Sequence, residues 1–114
     1  MQQSETIRVQ EIINSPNAVT PASGVLLYEK ILSNLKEQIE TFIDFNGIKY
    51  LNTAFLNSAI GQLYATYERD QLNSYLHIIN ISDSDLIIFK KVTNRARHFF
   101  NEKPEDETLN TSDE

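Results

Sequence analysis

The side chains able to act as base, nucleophile or metal ligand are few, and their spacing does not assemble them into a reaction centre. His77 lies inside the apolar run YLHIINI, and neither it nor His98 has a serine or aspartate at a spacing that suggests a triad, which a nucleophile and its base require. A histidine in such a run reads as a satisfied core or strand-end residue. Asp44, in FIDFNG, is the one carboxylate within an apolar strand, and its place at the strand's C-terminal end predicts that it accepts N–H bonds from the Asn46-Gly47 turn. The chain has no cysteine, which removes thiolate nucleophiles, thiolate metal sites and disulfides, and two histidines cannot close a zinc site. Its three glycines, at 24, 47 and 61, match neither a dinucleotide-binding loop nor a P-loop. The expectation is therefore a non-enzymatic protein with no metal and no cofactor.

Charge narrows the partners. Glu102, Glu105, Asp106, Glu107, Asp113 and Glu114 stand against Lys103 alone, so −5 of the formal −6 belongs to the last thirteen residues and −1 to everything before them. A near-neutral body does not supply the electrostatic term that nucleic-acid binding needs. The tail, 102–114, has too little apolar surface to offset its ordering entropy and is expected to be disordered and solubilising. Lys90, Lys91, Arg95, Arg97 and His98 crowd the end of the last helix, where cations complement the helix dipole. They read as a solvated face, with a phosphate- or acid-binding patch as the other reading. No run of eighteen apolar residues and no charged leader with an apolar core is present, so no membrane association and a cytoplasmic location are expected.

The elements that would hold these residues follow from periodicity. Thr6–Ile13 alternates as a strand, expected near a sheet edge. After the Asn14–Asn17 loop and a short extended Ala18-Val19, Thr20-Pro21 is an N-cap followed by proline at the first helical position. Val25, Tyr28, Leu32, Leu35 and Ile39 then form a helical stripe, with Leu27 and Ile31 alongside. Phe42, Ile43 and Phe45 make a buried strand that Asn46-Gly47 stops. Ile48, Tyr50 and Leu51 lead to Asn52-Thr53, either of which could cap a helix whose apolar face is Phe55, Leu56, Ala59, Ile60, Leu63 and Tyr67. Gly24 and Gly61 each suggest a close approach of packed backbone. The helix is expected to continue through Glu68–Ser74. Tyr75–Ile81 reads as a strand covered on both faces, and Ser82-Asp83-Ser84-Asp85 as the start of a last helix with the stripe Phe89, Val92, Ala96, Phe99 and Phe100. Strand, helix, strand, helix, strand, helix predicts an α/β domain, residues 1–101, with a small parallel or mixed sheet.

The run FIDFNGIKYLNTAF resembles the signature of STAS domains, the sulfate transporter and anti-sigma factor antagonist superfamily, in which a buried strand leads through a polar turn into a helix. LHIINISD, from Leu76 to Asp83, resembles the following strand and helix start. Ser23-Gly24, Phe55 and Ala59-Ile60-Gly61 are similar to a branch of short bacterial STAS-like proteins of undefined function. In the antagonists the turn reads Asp-Ser-Ser-Gly, and a kinase of the GHKL ATPase type phosphorylates its first serine. Here Asn52, Thr53, Ala54 and Phe55 occupy those places, and only Thr53 keeps a hydroxyl.

The resemblance implies a signalling and regulatory interaction module that docks a protein partner, of the GHKL ATPase or kinase type, through Asn52, Thr53, Ala54, Phe55 and Leu56 and the neighbouring Ser82-Asp83 loop. Thr53 would be either a phospho-acceptor or a structural cap. Two other readings remain. One is a nucleotide or anion binder using the helix starts after Leu51 and Ile81; the other is an inhibitory, antitoxin-like protein acting through its acidic tail. The sequence leaves the oligomeric state open.

Overall fold

The computed structural model describes residues 3–102, and of Asn101 and Glu102 only the backbone, so the predicted acidic tail lies almost wholly outside the described residues. The elements run β1 (Ser4–Arg8), α1 (Val9–Ile13), β2 (Asn17–Ala18), α2 (Pro21–Lys36), β3 (Glu40–Asp44), β4 (Tyr50–Leu51), α3 (Thr53–Ala59), α4 (Arg69–Tyr75), β5 (Leu76–Ile79) and α5 (Asp83–Arg97). A 3-10 turn (Gly61–Ala65) joins α3 to α4, and a π-helical turn (His98–Glu102) follows α5.

β1, β3 and β5 form a parallel sheet in that order, with Thr6, Phe42 and His77 in one register row and Arg8, Asp44 and Ile79 in another. β3 is the central and most buried strand: Ile43 and Thr41 are buried between the flanking strands, as is Phe45 just past its end. β1 is at an edge, as its polar alternation predicts. β2 and β4 pair separately, also parallel, and set Ala18 beside Leu51. The helical layer buries Leu27, Ile31, Phe55, Leu56, Leu63 and Val92 against the Ile7–Ile43 face. On the other face Phe42 and His77 stack with ring centroids 4.8 Å apart, and His77 Nε2 lies 2.6 Å from Glu40 Oε2. His77 thus has a structural partner.

Several expectations are corrected by long-range packing. The Thr6–Ile13 strand stops at Arg8: Val9 and Ile13, four apart, bury together on one helical turn, and Asn14 closes it in the left-handed region at φ 57°. Helix α2 starts at the predicted cap, Thr20 accepting from the Ser23 N–H at 3.1 Å, but ends three residues before Ile39. Gln38 takes φ 59°, and the Ile39 and Gln38 N–H groups return to the carbonyls of Asn34 and Leu35, a Schellman closure without the usual glycine. Its buried face is Gly24, Leu27, Ile31, Asn34 and Leu35, rotated from the predicted stripe and leaving Val25 exposed.

The long helix predicted to pass Tyr67 is interrupted. α3 ends at Ala59, the chain tightens to 3-10 geometry, and α4 begins afresh from Glu68, whose side chain and that of Gln71 form a reciprocal capping box. Gly61 is not the close approach expected, since a Cβ there would meet ordinary contacts at 3.7 Å, whereas one at Gly24 would fall 2.5 Å from the Phe55 carbonyl oxygen. β5 is an edge strand and not covered on both faces as expected: all four of its residues are only half-buried. In α5, Val92 and Ala96 are buried as predicted, but the helix ends at Arg97 and the altered pitch beyond it turns Phe99 and Phe100 outward.

One buried polar group escaped the sequence pattern. Asn34 Nδ2 donates to Glu5 Oε1 at 3.0 Å and to Thr41 Oγ1 at 3.1 Å, and Thr41 Oγ1 donates to the Ile39 carbonyl at 2.9 Å. This ties α2 to β1 and β3. Asn34→Ala is expected to lower the unfolding free energy by about 1–3 kcal/mol, because Thr41 is then left buried with fewer partners. Urea denaturation with an unchanged m-value would show it, and a loss below about 0.5 kcal/mol would contradict the network.

Candidate functional site

The turn that opens α3 is built by pairing β4 with β2. The Asn52 N–H donates to the Ala18 carbonyl at 3.3 Å, which extends the two-strand pairing, and Asn52 Nδ2 donates to the Val19 carbonyl at 3.0 Å. On its other side Asn52 Oδ1 accepts from the Phe55 N–H at 3.0 Å. Asn52 is therefore the N-cap, and its amide is clamped at both ends, which fixes where the helix begins. Of the two residues the sequence leaves open as the cap, Thr53 is the first helical residue instead, exposed, with no hydrogen-bond partner for its hydroxyl among the described residues.

Beside it Ala54 is half-buried, and Tyr50, two residues before the cap, is 66% exposed. Phe55 and Leu56 are fully buried, so the docking role expected of them is corrected: they hold the turn from beneath and offer a partner no surface. The reason is the N-cap geometry, which starts the helix so that its third and fourth residues face the core rather than solvent.

A second cluster forms at the carboxyl ends of β3 and β5. Asp44 Oδ1 accepts from the Asn46 N–H at 2.8 Å, as predicted, and also from Asn80 Nδ2 at 3.0 Å. Gly47 takes φ +89° in the following turn, where the Gln10 side chain lies against it. Asn80 is in the left-handed region at φ 58°, and Ser82 Oγ then caps α5 by accepting from the Asp85 N–H at 3.2 Å. Ser82 and Asp83 are exposed. Asp44 thus locks two loops together, and this link between β3 and the start of α5 was not visible in sequence because it joins residues 36 apart. No hydrogen bond among the described residues joins the Asn52 cluster to the Ser82 cluster. The two surfaces share the role of helix start and not a common network.

Among the described residues no group of three or more His, Asp or Glu side chains is arranged to hold a metal ion, and no helix is long and apolar enough to cross a membrane. The turn can present an exposed hydroxyl on a rigid support, with polar and aromatic neighbours, and that is the chemistry its side chains offer.

A family model described as "STAS-like domain of unknown function (DUF4325)" matches residues 23–86, from the first turn of α2 to the first turn of α5. The matched span contains Asn52, Thr53 and Ser82 and most of the helical layer. No curated protein and no solved structure matches the chain.

Proposed function

The chain belongs to the STAS-like domain family of unknown function, and from that premise we propose that it is a non-enzymatic regulatory module that docks a protein partner of the GHKL ATPase or kinase type through the turn at Asn52, Thr53 and Ala54. The observation that supports this most is Thr53 itself: an exposed, unbonded hydroxyl at the first position of a helix whose cap is clamped by Val19 and Phe55. A switch residue needs that combination, since a rigid frame keeps the surface unchanged while the side chain alone is modified. Exposed Tyr50 and the exposed Ser82-Asp83 loop extend the docking surface in this reading. Phe55 and Leu56 leave it.

Phosphorylation of Thr53 would add about −1.5 to −2 charge at the surface without entering the core, so the fold survives and the complex does not. A partner packed over the turn would have to desolvate that charge, at about 3–5 kcal/mol when no cation answers it. Thr53→Glu is accordingly expected to keep the native unfolding transition while weakening partner capture from host lysate more than about 100-fold. Thr53→Ser should retain both. Equal capture by Thr53→Glu and the unaltered chain would place the interface elsewhere, and unfolding of Thr53→Glu would show that Thr53 is needed inside the fold. Loss of radiolabel transfer from the captured kinase in Thr53→Ala would identify the acceptor.

A further inference from the structure

The cations of the last helix do not stand alone. Lys90, Lys91 and Arg97 of α5 line a cavity of about 690 Å³ together with Arg69 of α4, over a floor that includes Tyr64 and a wall that includes exposed Ile87. That volume lies within the range of about 300–1,000 Å³ typical of small-molecule sites. Four of the chain's ten lysines and arginines converge there, and among the described residues no aspartate or glutamate lines the cavity.

The helix dipole does not account for this. Its effect is confined to the last turn, which reaches Arg95 and Arg97 of a helix ending at Arg97. Lys90 and Lys91 lie about two turns earlier, and Arg69 is on another helix. Among the described residues Lys90 and Lys91 make no ion pair, and Arg69 reaches its neighbour Asp70 at 3.9 Å. Lys90 and Lys91, adjacent like charges with no counter-charge among the described residues, repel each other, a cost that an anion in the cavity would lower.

The arrangement is also partly preorganised. Asn94 Oδ1 accepts from Arg97 Nη2 at 2.7 Å and fixes the guanidinium plane. Tyr64, Arg69 and Arg97 line the same cavity from separate elements, and the Tyr64 phenol, pushed above its ordinary pKa by burial, is pulled back by the positive charge of Arg97 and Arg69. Guanidinium forks and lysine point charges are the usual partners of phosphoryl oxygens. Linked phosphates bring several negative charges and many acceptor oxygens into a small volume, whereas an extended acidic peptide presents carboxylates to one side only every second residue, about 7 Å apart.

We propose that the groove between α4 and α5 is a binding site for a small anion carrying two or more linked phosphates, with Arg69, Lys90, Lys91 and Arg97 taking the phosphoryl oxygens and Ile87 flanking any apolar portion. This site is separate from the Asn52 turn and stands whether or not that turn docks a partner.

The test is a titration of the full chain with inorganic tripolyphosphate, followed by amide chemical shifts, with ATP and inorganic phosphate as parallel ligands. Saturable shifts confined to α4, α5 and the 3-10 turn are expected, with tripolyphosphate binding at least tenfold tighter than phosphate. Tighter binding of ATP than of tripolyphosphate would identify a nucleoside source; equal binding would identify the polyphosphate itself. Lys90→Ala/Lys91→Ala is expected to weaken binding at least tenfold, and Arg69→Gln, on the other helix, gives an independent reading of the same loss. Lys36→Ala/Lys49→Ala, which removes exposed cations outside the groove, should leave the affinity within twofold. Absence of saturable shifts, equal weakening by the control pair, or tighter binding of a synthetic peptide of residues 102–114 than of tripolyphosphate at matched ionic strength would overturn the proposal.

Discussion

Phe55→Ala is expected to lower the unfolding free energy by about 3–5 kcal/mol, enough to remove a large part of the stability of a domain of this size. Phe55 is the largest of the fully buried side chains, and it sits at the third position of α3 where the helix meets α2. Truncation removes its burial and leaves a cavity that neighbours held by separate elements cannot readily fill. The experiment separates two roles for the same residue. A docking residue would lose partner binding with little change in urea midpoint, whereas a core residue loses stability first. A drop smaller than about 1 kcal/mol would return Phe55 to the surface and contradict the burial of the helix start.

Gly24 and Gly61 should respond to the same substitution with opposite signs. Alanine at Gly24 would set its methyl carbon 2.5 Å from the Phe55 carbonyl oxygen and 2.7 Å from Ser58 Cβ, so the α2 and α3 backbones must separate. Overpacking of this kind costs about 1–3 kcal/mol or more, which exceeds the gain of about 0.5–1 kcal/mol in helix propensity. At Gly61 the new methyl carbon meets Ala96 Cβ and Asn57 Oδ1 no closer than 3.7 Å, and the reduced freedom of the unfolded chain gives about 0.4–1 kcal/mol of added stability. Thermal or urea unfolding of the two variants side by side decides it. A stabilised Gly24→Ala would show that α2 and α3 are not in close contact.

This pair shows how far a glycine can be read from sequence. Both positions were expected to mark close approaches, and only one does, because the relevant distance is to a segment about thirty residues away. The interruption at Ile60 has the same origin. Leu56, Ile60, Leu63 and Tyr67 keep a helical spacing, yet the chain tightens at Gly61 to bury Leu63 and Tyr64 beneath α5 and then restarts at Glu68 with its own cap. Periodicity identifies an apolar face and not the packing that bends it.

The candidate site divides along the same line. Thr20, Asn52 and Ser82 were legible as helix starts because a cap bonds to an N–H only three residues ahead, so the signal lies within one stretch of sequence. The α/β alternation with a parallel or mixed sheet, the buried strand around Phe42–Phe45 and the place of Asp44 at its end were legible equally locally, from apolar runs and turn residues, whereas the all-parallel pairing of β1, β3 and β5 and the central place of β3 were not. Tertiary structure alone decided that Asn52 and not Thr53 is the cap, since Val19 supplies the second bond that holds it. It alone turned Phe55 inward, locked Asn80 to Asp44, set Asn34 between Glu5 and Thr41, and brought Arg69 to the lysines of α5. Each of those facts depends on the direction of a side chain toward an element distant in the chain, and burial and electrostatic convergence act through space rather than along the sequence.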